Sequence, residues 1–425
     1  MSSFYWGYIC TQLLGGYLAR VVGAKFVLAI SVGGTAALSL LTPLAARTST
    51  ELLVAVRILE GVLQGVAFPT GHYLLGNWAP DKERTFLVAF PLSGPEIGTV
   101  IAAPLTGLLC EPNFLGGWPA SFYLFGTIGI IWSFGWLIFV YDSPAKHPTI
   151  SKEERQYIEE NTQSPSKPVP FLEMPWLTIF SSPSVWAIVI AHTCFNWNFN
   201  TLLTDLPTFL KNVLYLSPTW NGLVSALPYV FLFLTTNIGG VLSDYIREKG
   251  MKTKHVRKLC YTFGMVTSSV FIVLSGYVGC DVTVVMVFLC LSVGMSGFGQ
   301  AGFIMNHVDI APQYASILMG MTNTAAALPG ILSPSLTGVL TNQQSDFQTW
   351  RIVFFISAGV SVFGAIAFVL LGQGQVQQWA LIEPKLADIQ HGDGVESDDD
   401  CTDDVDETSK LLADDEDHKK SHRHY

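Results

Sequence analysis

Charge is scarce in this chain. Only 13% of its 425 residues are Asp, Glu, Lys or Arg, half are hydrophobic, and the mean hydropathy is +0.40. That is the profile of a polytopic membrane protein, not of a soluble domain. No basic surface suggests a nucleic-acid partner. The net charge of −10 is local: residues 391–425 hold 13 of the 33 acidic and 4 of the 23 basic residues, which leaves 20 acidic and 19 basic elsewhere. Seven cysteines are scattered without a C-x-x-C pair, so neither a metal site nor a disulfide framework is expected. Paired catalytic carboxylates, a Ser/His/Asp arrangement and metal-ligand spacing are all missing. An enzyme is therefore disfavoured, and no cofactor or metal is implied. No N-x-S/T sequon falls in a lumenal loop.

What the chain does have is apolar runs. Stretches of spanning length fall at about 2–19, 26–46, 51–76, 85–110, 120–141, 183–209, 222–244, 258–279, 283–305, 315–340 and 350–372. Five precede a polar break at 142–182 and six follow it. The break carries Lys146, Lys152, Glu153, Glu154, Arg155, Glu159 and Glu160 and reads as a soluble linker with one short amphipathic helix. The expected organisation is an N-terminal bundle over 1–141, the linker over 142–182, a C-terminal bundle over 183–372, and a disordered acidic tail over 373–425. Placing the linker in the cytosol puts nineteen basic residues on that side and three on the other, a strong positive-inside bias that also makes the C-terminus cytosolic.

Gly15-Gly16-Tyr17-Leu18-Ala19-Arg20 echoes Gly239-Gly240-Val241-Leu242-Ser243-Asp244, 224 residues later. Each ends an apolar span and opens a short basic loop. The second copy follows a full span and the first does not. If the halves are parallel repeats, the first helix of a six-plus-six architecture is missing from the N-terminus.

Polar residues inside spans are the candidates for function. Arg57, Glu60 and Gln64 share one helical face. A charge at the bilayer centre costs ~2.5–3.5 kcal/mol on insertion scales, so such groups face a partner or a wet cavity. Two readings stay open: a structural ion pair that locks helices, or the lining of a path. Glu96 in Pro91-Leu92-Ser93-Gly94-Pro95-Glu96 is either a second buried carboxylate or an interfacial group reaching water through a Pro-broken turn. His192, Asn196, Asn198, Asn200 and Asp205 make the span at 183–209 unusually polar, which favours a watery surface over lipid.

Several motifs together resemble the major facilitator superfamily. Within it they resemble the anion transporters that include sialin, the vesicular glutamate transporters and the type I sodium–phosphate cotransporters. They are Ser2-Ser3-Phe4-Tyr5-Trp6-Gly7-Tyr8, the Arg57–Gly65 stretch with Phe68-Pro69 and His72, Trp78-Ala79-Pro80 with Glu83-Arg84, Tyr141 to Pro148, and Leu202-Leu203-Thr204. The most telling is Asn306-His307-Val308-Asp309-Ile310-Ala311-Pro312, and Gly374 to Ala380 leans toward the sialin branch.

The resemblance implies an all-α fold of two pseudo-symmetric helix bundles, about five plus six helices here, that rock about a central site. It implies transport of a small organic or inorganic anion with H⁺ or Na⁺ as coupling ion, the sialic acid-like, proton-coupled case being favoured. A sodium-driven phosphate or organic anion cotransporter and a non-transporting membrane protein are the rivals. Arg57 would bind the anion, with Phe4, Tyr5, Tyr8 and Asn200 shaping the pocket. Glu60, as the main carrier, and His72 would serve proton coupling; Glu96, where relatives tend to carry glutamine, suggests together with Gln64 that the titrating group has moved to the next helix. Asn306, His307 and Asp309 would form a structural latch or gate. Two residues depart from the sialin pattern: Gln64 stands where a second glutamate is expected, and Asn200 where a tyrosine is. In the tail, Glu407, Leu411 and Leu412 fit an acidic dileucine signal for a clathrin adaptor. That signal points to lysosomal or endosomal membranes, with the plasma membrane as the alternative.

Overall fold

The structure, a computed structural model, describes residues 2–80, 87, 90–91, 93–111, 116–162, 174–279, 281–342 and 346–381. Glu407, Leu411 and Leu412 lie outside these residues, as do Lys82, Glu83, Arg84 and Lys167.

Every regular element among the described residues is helical. The first half contains α1 (Ser2–Leu18), α2 (Ala24–Thr48), α3 (Thr50–Gln64), α4 (Ala67–Trp78), α5 (Gly94–Leu109) and α6 (Pro119–Phe139). Between the halves lie α7 (Lys152–Asn161) and α8 (Trp176–Ser181). The second half contains α9 (Pro183–Asn212), α10 (Pro218–Glu248), α11 (Thr253–Ser275), α12 (Val282–Phe303), α13 (Asn306–Ile310), α14 (Ala315–Ala326), α15 (Pro329–Thr341) and α16 (Phe347–Leu371), followed by α17 (Gln378–Leu381).

Local chemistry sets the helix ends. Ser49, Asp281 and Asp346 accept hydrogen bonds from first-turn amides of α3, α12 and α16, satisfying donors the helix cannot. Proline sits in the first turn of α6, α9, α10 and α15, where its missing N–H costs nothing. Between α1 and α2 a π turn over Ala19–Gly23 ends at Gly23 with φ 101° and ψ 133°, a conformation open in practice only to glycine. There the Lys25 amide donates to Asp142 Oδ1 at 2.8 Å, tying the turn to the chain beyond α6.

Eight helical stretches among the described residues are long and apolar enough to cross a membrane. The first, Ser3–Thr48, contains two of the expected spans on either side of Gly23. Two other expected spans fall outside the eight: α5 is described for only 16 residues, and α9 is long but polar. Ile128, Ile131, Phe134 and Ile138 leave one face of α6 apolar and exposed, as a lipid-facing helix requires.

The two halves repeat one packing scheme. Helix α1 packs on α3 in its own half and on α14 and α15 in the other, while α10 packs on α12 and on α5. Glycine makes these crossings close. A Cβ on Gly107 of α5 would lie 2.8 Å from the Pro218 carbonyl oxygen, and one on Gly320 of α14 would lie 2.7 Å from that of Gln12.

Candidate functional site

A cavity of about 340 Å³ lies between the halves. Helix α1 lines it with Phe4, Tyr5 and Tyr8, α9 with His192, Asn196 and Asn200, α5 with Glu96, α12 with Gln300 and α14 with Asn323. The α1 aromatics pack on one another, Phe4 stacking on Tyr8 at 5.5 Å between ring centres and Tyr5 meeting Phe4 edge-on at 5.5 Å. Their hydroxyls are held from the opposite half. Tyr5 donates to Asn200 Oδ1 at 2.5 Å, and Asn323 donates to Tyr8 at 3.2 Å and to Gln12 at 3.0 Å. Four of the five expected pocket residues therefore come together here.

Glu96 is 4% exposed, so it does not reach interfacial water. Gln300 donates to its Oε1 at 2.9 Å across the two halves, and Oε2 has no protein partner. A buried carboxylate with one oxygen unsatisfied leaves an acceptor open to a proton or to a ligand donor.

Arg57 and Glu60 sit elsewhere. Arg57 donates to Glu60 Oε2 at 2.9 Å, and Glu60 Oε1 accepts from Ser39 at 3.0 Å and Thr42 at 3.2 Å. The guanidinium also lies over the Phe122 ring, 5.1 Å from its centre. Neither residue lines the central cavity, which corrects the expectation that Arg57 shares a pocket with Phe4, Tyr5 and Tyr8. The physical reason is local: an i, i+3 pair satisfies both charges without help from the cavity, and α2 supplies the remaining donors. Ser39 and Phe122 instead line a second cavity of about 440 Å³ within the first half, and Gln64 lines both cavities.

The Asn306-His307-Asp309 group divides in two. Asp309 takes a two-pronged bond from Arg257 at 2.7 and 3.3 Å, and Arg257 also reaches Ser243 at 2.9 Å and the Ala301 carbonyl at 3.1 Å. Asn306 donates to the Gln373 carbonyl at 2.7 Å, which ties α13 to the chain after α16. His307 turns away from both, because it lies about 100° round the helix from Asn306 while Asp309 returns to that side. Its ring stands 6.3 Å from that of His72 and 6.3 Å from that of His192. Thr322 joins two of the three, 2.8 Å from His307 Nε2 and 3.2 Å from His192 Nδ1.

Sequence reasoning placed Glu96, Asn200 and the α1 aromatics but passed over Gln300, Asn323, Thr322 and Arg257. The first two carried a usable signal, since each is an isolated amide in an otherwise apolar, glycine-rich span. Arg257 stands in a basic loop cluster and looks like a topology charge, yet it is 2% exposed.

The sequence profile of the Major Facilitator Superfamily matches residues 1–334. Sialin of Homo sapiens is 42% identical over 385 residues, which cover 90% of this chain and 76% of sialin. Vesicular glutamate transporter 1 of Bos taurus is 39% identical over 385 residues, covering 89% of this chain and 68% of that protein. Among solved structures, the D-xylose-proton symporter shares the fold with a TM-score of 0.63 at 17% identity, over 88% of this chain and 86% of its own. With its two packed helical halves and the cavity between them, the chain is a multi-pass membrane protein of the major facilitator superfamily and belongs to its family of anion transporters that includes sialin and the vesicular glutamate transporters.

Proposed function

We propose that the protein moves a small organic acid, of the sialic acid or other sugar-carboxylate kind, together with protons by alternating access, out of an acidic lysosomal or endosomal compartment. The observation that carries this reading is Glu96: a carboxylate buried between the halves, bonded across them to Gln300, with one oxygen unpartnered. A proton on Glu96 removes the one carboxylate charge from the cavity wall, so an anion can enter; loss of the proton expels it. The Phe4–Tyr5–Tyr8 wall and Asn200 suit the apolar and hydroxylated faces of a sugar acid. Arg57 stays paired with Glu60 outside this cavity, and Gln64 stands at the boundary of the two cavities.

The test is uptake of labelled sialic acid, glutamate and phosphate into proteoliposomes, with and without an imposed pH gradient. Sialic acid uptake should follow the gradient. Glu96→Gln, which keeps an oxygen acceptor for Gln300, should abolish the response to the gradient, whereas Glu60→Gln should retain it. A sodium requirement with no response to the pH gradient would overturn the proton-coupled reading.

A further inference from the structure

We infer that His192, Thr322 and His307 form a hydrogen-bonded proton relay leading from the central cavity toward His72 in the first half. The inference rests on the proton-coupled reading above and adds the route. Two observations support it: the hydrogen bonds run without a gap from His192 through Thr322 to His307, and their polarity is fixed by chemistry.

The polarity follows from one carbonyl. His307 Nδ1 lies 2.9 Å from the Ile304 carbonyl oxygen, which can only accept, so Nδ1 carries a hydrogen. In a neutral imidazole the other nitrogen is then bare, so Nε2 accepts from the Thr322 hydroxyl at 2.8 Å. That hydroxyl has a single hydrogen, and its other acceptor, the Met319 carbonyl, is more distant at 3.3 Å. The lone pairs of Thr322 therefore face His192 Nδ1 at 3.2 Å, which must donate. The resting order is His192 N–H to Thr322 O–H to His307 nitrogen. His192 lines the cavity and has Nε2 left to receive a proton.

The transfer balances without any added reactant. A proton from the cavity binds His192 Nε2. The N–H bond at His192 Nδ1 breaks and an O–H bond forms at Thr322, while the original Thr322 O–H bond breaks and an N–H bond forms at His307 Nε2. His192 ends neutral in its other tautomer, and the positive charge has moved to His307. Both His307 nitrogens are bonded, to the Ile304 carbonyl and to Thr322, so the proton is held at His307, whose ring stands 6.3 Å from that of His72. His72 belongs to α4, which packs on α14, so the relay ends at the contact between the halves.

The charged and titratable surroundings suit single occupancy. Asp309, on the same helix as His307, is held by Arg257 of α11. His72 faces His307 from the first half, His192 faces it from α9, and Glu96 of α5 lines the cavity with His192. A charge on one of three adjoining imidazoles opposes a charge on the next, so protons pass one at a time.

Thr322→Val removes the hydroxyl and keeps the shape. In proteoliposomes it should lower pH-driven sialic acid accumulation and the accompanying internal pH change by ~100-fold, the lower end of what positioned proton transfer contributes. Exchange of labelled for unlabelled sialic acid at equal pH needs no net proton movement and should persist. Thr322→Ser should restore both. His307→Gln, which can bond to Thr322 but not shuttle a proton, should show the same split. Proton-driven accumulation undiminished in Thr322→Val overturns the relay, as does loss of exchange in both Thr322→Val and His307→Gln, which would make these side chains structural. An unaltered protein that moves sialic acid but no proton refutes the proton-coupled reading itself and the relay with it.

Discussion

Replacing Gly61 by alanine should displace the aromatic wall of the central cavity. Helices α1 and α3 cross with their backbones touching at Gly7, Gly61 and Gly65. A Cβ on Gly61 would lie 2.0 Å from the Phe4 carbonyl oxygen and 2.8 Å from the Tyr8 nitrogen, where ordinary contact begins at 3.4 Å. The helices must then part by about 1.4 Å. No side-chain rotation relieves the clash, because both obstacles are backbone atoms. Overpacking of this kind costs about 1–3 kcal/mol, and the upper end is expected here. The functional loss should be larger than the stability loss suggests. The displaced segment carries Phe4, Tyr5 and Tyr8, and a shift of that size exceeds what the Tyr5–Asn200 bond of 2.5 Å tolerates. A misplacement of about 1 Å at a positioned site is worth roughly 100-fold in rate. Thermal unfolding in detergent and uptake per mole of reconstituted protein would measure the two effects. Gly338→Ala in α15 is the control, since nothing lies within 4 Å of its Cβ, and it should be neutral or stabilising by about 0.4–1 kcal/mol. If Gly61→Ala melts and transports like the unaltered protein, the close crossing is not what positions the wall.

Two further outcomes follow from the fold. Arg257→Ala leaves Asp309 without its partner and should cost about 3–5 kcal/mol, seen as a lower melting temperature. The double variant Arg257→Met/Asp309→Leu should recover most of that loss, and an unaffected single variant would show the pair to be idle. Gly23→Ala places a side chain at φ 101° with its Cβ 3.0 Å from Asp142 Oδ2, so it should destabilise by about 1–3 kcal/mol in the same assay. Equal melting of Gly23→Ala and the unaltered protein would mean that the turn can be rebuilt without left-handed backbone.

Much of the site was legible in the residues, but unevenly. Phe4, Tyr5 and Tyr8 recur at helical spacing on α1, so their common face needed only the 3.6-residue period. The polar face of α9 was equally readable from His192, Asn196 and Asn200. Arg57 and Glu60 were readable as a pair, yet not their direction, because a pair that satisfies itself at i, i+3 carries no information about which neighbour it faces. The grouping of His307 with Asn306 and Asp309 followed chain proximity, whereas residues on one turn point to different sides. Thr322 had no signal at all: a threonine in a transmembrane helix ordinarily bonds its own backbone, and only the arrival of two histidines from other segments gives it another role.

That the chain crosses a membrane many times, that its elements are helices, and to which superfamily it belongs could all be read from the residues. Those properties are set by hydropathy over about 20 residues and by motifs contiguous in the chain, so local information suffices. Tertiary structure decided which polar groups meet: Glu96 with Gln300, 204 residues apart, Tyr5 with Asn200, 195 apart, and His192 with Thr322, 130 apart. These pairs depend on how the helices rotate about their axes and how closely glycine lets them approach. A rotation of 100° moves one residue's direction to the next, and apolar stretches set that angle through packing with many partners at once. The cavity is the product of those angles, which is why its members could be named individually from the chain and assembled only in the fold.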